Sequence, residues 1–265
     1  MKNLRILFLT LFAVVLISSC KKDVAETPSV TPTAPVTSGT VSVNFTNMVG
    51  DSLLTLNTKS YINANNDTFR VSEFKYYISN IKLTKSDGSI YTEAESYHLV
   101  DASIPGTCKI TLSKIPFGKY TAISFIIGVD SIRNISGAQT GALDPANNMF
   151  WNWSSGYIMA KMIGISPQST NGKLLEFDII GFRGPYNVLK PVSPSFNSDT
   201  VRVSSNISSN IDLKTDLSEW FKTPNTISFS NLNTVNTIGP DSRMIADNYA
   251  DMISVNSIQF IQVTE

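Results

Sequence analysis

Glu73-Phe74-Lys75-Tyr76-Tyr77-Ile78-Ser79-Asn80-Ile81-Lys82-Leu83, followed by Ser86-Asp87-Gly88-Ser89, decides the fold. Aromatic and β-branched residues fill the run, which suits the pleated, half-buried surface of a strand. The Asp-Gly pair then predicts a tight hairpin turn, because glycine accepts the positive φ such a turn needs. Upstream, Val41-Ser42-Val43-Asn44-Phe45 alternates apolar and polar residues, the period of a strand with one buried face. Downstream, strand signals recur at residues 97–100, 110–112, 120–129, 157–165, 174–182, 200–203 and 257–263, and Ile115-Pro116-Phe117-Gly118-Lys119-Tyr120 reads as a turn. Helical signals are confined to residues 216–221, which Thr215 or Asp216 could cap, and 241–253, where Met244, Ile245, Tyr249 and Met252 approach helical spacing. The expectation is an all-β fold: an antiparallel β-sandwich with one or two short helices near the C-terminus, formed as one domain by residues 41–265.

The start of the chain predicts an address. Lys2 and Arg5 precede an apolar run at residues 6–17, too short for a bilayer span of ~20 residues but suited to an export signal. Ile17-Ser18-Ser19-Cys20 then places two small residues before a cysteine, the pattern of a lipoprotein cleavage site. Residues 1–19 are therefore expected to be removed and Cys20 to carry a lipid that holds the protein on a membrane. Lys21 after the cysteine points to an outer-membrane lipoprotein, periplasmic or surface-facing. Residues 20–40, rich in Thr, Pro, Ser and Val, read as a solvated tether. Loss of Lys2 and Arg5 from the 21 basic residues leaves 19 against 21 acidic ones, and no basic cluster is interleaved with aromatics, so nucleic acid is not an expected partner. With Cys20 acylated, Cys108 has no intramolecular partner, and it reads as a small buried hydrophobe in the run Cys108-Lys109-Ile110-Thr111-Leu112.

Much chemistry is excluded. His98 is the one histidine, and no Gly-x-Ser-x-Gly elbow, zinc-ligand set, phosphate loop or dinucleotide fingerprint accompanies it. His98 reads as a polar-face or hydrogen-bonded strand residue. Glu73, Asp130, Asp144, Glu176 and Asp178 could form a carboxylate pair in name only, since hydrolysis needs a fixed separation that spacing does not supply. The expectation is a binding protein, not an enzyme.

Residues 128–164 concentrate the unusual residues: Gly128-Val129-Asp130-Ser131, Gly141-Ala142-Leu143-Asp144-Pro145, and Met149-Phe150-Trp151-Asn152-Trp153-Ser154-Ser155-Gly156-Tyr157. In a strand, Trp151 and Trp153 would share a face. Together with the run at 73–83 and the pair Val100-Asp101, these blocks resemble, in order, the MbnP-like family of periplasmic or surface proteins associated with copper and methanobactin. The resemblance implies a β-sandwich and, in copper-binding members, a mononuclear copper site built from histidine imidazoles and a tryptophan oxidised to kynurenine. Where those members show Phe-His-Ile-Gly, this chain has Phe177-Asp178-Ile179-Ile180-Gly181-Phe182. Copper prefers imidazole and soft sulfur to a lone carboxylate. Trp151 and Trp153 carry over as metal-site residues, with Asp178, Met149 or Met159 as donors in place of histidine, and copper-handling or surface-receptor proteins become the expected partners. Two other readings stand beside this one: a glycan- or peptide-binding platform of Trp151, Trp153 and Tyr157, and a structural surface lipoprotein without a small ligand.

Overall fold

The computed structural model describes residues 37–137 and 139–263. The predicted signal segment, Cys20 and the tether up to residue 36 lie outside them. Nine principal strands carry the architecture: β1 (Ser38–Val49), β2 (Thr68–Lys85), β3 (Tyr97–Asp101), β4 (Lys109–Pro116), β5 (Gly118–Ile127), β6 (Gly156–Ile165), β7 (Leu174–Ile180), β8 (Ile207–Asp216) and β9 (Ile253–Gln262). The helices α1 (Ser131–Asn134) and α2 (Pro240–Tyr249) are short. β1 begins at Ser38, inside the segment read as tether, because its first residues already pair with the end of β4.

The smaller sheet runs β9, β8, β1, β4. In the larger, β2 is the spine. Lys75 pairs with Asp101 of β3 on one side and Lys161 of β6 on the other, while Ile78 pairs with His98 of β3 and Ile127 of β5. β6 and β5 thus share one side of β2, end to end, and β7 continues the sheet beyond β6. Phe45 of the smaller sheet meets Tyr76 and Phe125 of the larger edge to face, with ring centroids 6.2 and 6.3 Å apart, and the Tyr76 hydroxyl bonds to Asn47 and Thr215 across the layer. The fold is the expected all-β sandwich. Its pairings are mixed, however: β1 and β8 run parallel from Val41↔Ser209 to Met48↔Asp216, and β7 runs parallel to Thr234–Val235. Parallel neighbours need a long crossover, which these distant segments have.

Within β2 the inward set changes from Phe74, Tyr76 and Ile78 to Ile81 and Leu83, all buried. The change falls at Asn80, whose φ of 58° makes a bulge where the register to β5 shifts. A slip of one residue exchanges the faces of a strand. Tyr77 and Ser79, on the outer face, are nonetheless buried, because residues 128–155 fold over them. The expected helix at 216–221 is a 3-10 turn, Leu217–Phe221, whose Ser218 N–H donates to Asp216. The one expected at 241–253 ends at Tyr249, and Ile253 opens β9.

Candidate functional site

Residues 128–155 leave the sheet between β5 and β6 and form a lobe over its outer face. Asp130 caps α1, accepting from Ile132 N–H (3.0 Å) and Arg133 N–H (3.2 Å) at Oδ1, while Oδ2 accepts from the Tyr97 hydroxyl (2.6 Å) and Asn80 Nδ2 (3.0 Å). One carboxylate therefore ties the lobe to β2 and β3. Burial alone would raise the Asp130 pKa; these four hydrogen bonds outweigh it and hold the carboxyl below its ordinary value. Asn134, buried, donates to the Val129 and Asp130 carbonyls and accepts from Tyr157 N–H at 2.9 Å. The Tyr77 and Tyr157 hydroxyls donate to the Ala142 and Leu143 carbonyls and pin the far side of the lobe.

Between the lobe and the sheet lies a cleft of about 520 Å³, lined among others by Lys75, His98, Leu99, Asp101, Ala142 and Asn148. Its ionic groups largely satisfy one another. Lys75 Nζ stands 2.9 Å from Glu73 and 3.3 Å from Asp101, Asp101 Oδ1 accepts from the Ser103 N–H and hydroxyl, and His98 Nε2 lies 2.9 Å from Glu93. His98 is the hydrogen-bonded strand residue expected of it.

Trp151 is 41% and Trp153 68% exposed, at the tip of the lobe. They do not form the shared face that strand spacing predicts. The strand Phe150–Asn152 ends at Asn152, whose Oδ1 accepts from Ser154 N–H, the Ser154 hydroxyl and Ser155 N–H, and the chain turns. Trp153 consequently bends back edge-on to Phe150, with centroids 5.0 Å apart, and Phe150 meets Tyr157 at 5.2 Å. Tyr157, expected beside the tryptophans in a binding platform, is buried.

Asp178 is elsewhere. It sits on β7 opposite Lys161 of β6, in a row that crosses the sheet as Asp101, Lys75, Lys161, Asp178. Lys161 is four residues along β6 from Tyr157, where the tryptophan hairpin pairs, or ~13 Å at the rise of a strand. Burial raises the Asp178 pKa, Lys161 at 3.1 Å opposes that rise, and Glu176 and Glu73 add to it. Met149 is wholly buried, as is Met159, whose sulfur accepts from Val129 N–H. No group of three or more His, Cys, Asp or Glu side chains converges among the described residues. The copper donor set expected from Trp151, Trp153 and Asp178 is not brought together, because the hairpin turn exposes the first two and the sheet register commits the third to a lysine. The signal that was missed is the Asp130 latch: Gly128-Val129-Asp130-Ser131 is a local block in sequence, and only the folded chain brings Asn80 and Tyr97 to it.

A family model described as MbnP matches residues 38–238. Among solved structures, the chain is similar to "MbnP from Methylosinus trichosporium", with 13% identity, coverage of 83% of this chain and 99% of that one, and a TM-score of 0.53, a likeness of fold. No curated protein matches the chain.

Proposed function

Since the chain belongs to the MbnP family, we propose that it is a lipid-anchored protein of the bacterial cell envelope, held at the outer membrane through Cys20, that acts by binding and not by catalysis. The supporting observation is the lobe. It is fastened to the sheet by Asp130 and Asn134, yet it leaves Ile132, Ile135, Trp151 and Trp153 in solvent. Exposed apolar side chains on a braced element mark an interaction surface. Two of the candidate carboxylates are committed to other partners: Asp178 faces Lys161 and Asp130 is filled by hydrogen bonds. A sugar-stacking platform would need rings presented side by side, whereas Trp153 leans on Phe150 and Tyr157 is inside.

The family's copper chemistry is the reading to test against this one. The chain from residue 21 onward, which contains every described residue, is titrated with copper by calorimetry, and the peptide bearing Trp151 and Trp153 is weighed by mass spectrometry. The expected result is the absence of tight stoichiometric binding, with both tryptophans unmodified. Tight binding at one equivalent together with the kynurenine mass would overturn the proposal and make this a copper protein with a donor set other than histidine.

A further inference from the structure

We propose that the tip of the lobe is a membrane-contact surface: Ile132, Ile135, Trp151 and Trp153 enter the interfacial layer of the lipid bilayer. The inference rests on the anchoring of Cys20 proposed above and names the partner of the lobe.

Four observations carry it. The side chains are of the kind an interface takes: Ile132, in α1, and Ile135, just past its end, are 77% and 67% exposed, and indole rings favour the boundary between water and acyl chains. α1 and the tryptophan hairpin are adjacent, because Asn134 accepts from Tyr157 N–H and packs so closely on Gly156 that a Cβ there would meet Asn134 Oδ1. Charge is compatible as well. Between Gly128 and Gly156 the charged residues are Asp130, Arg133 and Asp144. Each is committed: Asp130 to four donors, Arg133 to Glu95 and the face of Tyr97, Asp144 to Ala146 N–H. Each of the three charged residues therefore keeps a hydrogen-bond partner, which lowers the desolvation cost of entering a bilayer surface.

The tether supplies the fourth. Residues 21–36 separate Cys20 from the first described residue, Thr37. A chain of 16 residues spans at most ~55 Å, so a lipid on Cys20 would keep the domain within that distance of the bilayer.

The test uses the three tryptophans. Trp220 is fully buried, its Nε1–H donating to Met252, and is the internal reference, while Trp151 and Trp153 are the reporters. The unlipidated chain from residue 21 is mixed with vesicles of phosphatidylethanolamine and phosphatidylglycerol carrying brominated acyl chains. Expected are a blue shift, quenching, and co-sedimentation that survives high salt, all lost in a Trp151→Ser, Trp153→Ser variant that keeps its melting temperature and Trp220 emission. Unchanged emission without sedimentation overturns the proposal. So does quenching that persists in the variant, or a shift caused by soluble envelope glycans and not by vesicles. Labelling of Cys20 by an alkynyl fatty acid in cells separates the two readings. A labelled protein that ignores vesicles loses only the membrane contact, and an unlabelled one that binds them loses only the anchor.

Discussion

Asp178 lies on β7 with 2% of its surface exposed, and Lys161 Nζ stands 3.1 Å from its Oδ1, which has no other partner. Burial is the largest influence on its pKa and raises it, so the native state holds the proton more tightly than the unfolded chain does. The contribution of this group to stability is therefore greatest below the ordinary carboxylate pKa and declines as pH rises through the raised, folded value. Asp178→Asn should unfold at the same or higher urea concentration at neutral pH and flatten this part of the pH dependence. Lys161→Met, which leaves a buried carboxylate without its cation, should cost about 3 kcal/mol at neutral pH, and the double variant should recover most of it. Urea titrations at several pH values check this, and an Asn variant as unstable as the Met variant would sink it. An acidic residue on a strand was plain in the sequence. That it faces a lysine was not, because cross-strand partners are set by the register of β6 on β7.

At the scale of elements the lobe depends on a few backbone conformations. Gly156 has a φ of 74°, and a Cβ there would collide with Asn134 Oδ1. Gly156→Ala should therefore destabilise the protein by more than about 1 kcal/mol and open residues 131–156 to protease before the sandwich unfolds. Limited proteolysis followed by peptide mapping reads this directly; cleavage spread evenly over the chain would count against a separately fastened lobe. α1 escaped the sequence reading because it is four residues long and has no apolar periodicity to reveal it. The strand at 73–83 was legible from composition, but its start at Thr68 and the bulge at Asn80 depend on what β5 and β6 pair with.

Across the whole molecule, stability must come from burial between the sheets. Cys108 is half-buried, its thiol pKa is raised chiefly by burial, and Asn47 Nδ2 donates to its sulfur at 3.7 Å. Thermal unfolding of the chain from residue 21 should be the same with and without reductant, and maleimide should label Cys108 slowly until the protein unfolds. A midpoint lowered by reductant would reveal a disulfide between molecules and contradict this. The described residues from Thr37 onward form one compact unit, and no helix among them is long and apolar enough to cross a membrane. The sequence by itself determined the all-β class, most strands and the resemblance to the MbnP family, because alternation, turn chemistry and motif order are properties of neighbouring residues. Tertiary structure alone decided the parallel pairing of β1 with β8, the Asp130 latch and the separation of Asp178 from the tryptophans. The period-two rule that joined Trp151 to Trp153 holds only while a strand continues, and the Asn152 side chain ends it one residue too soon.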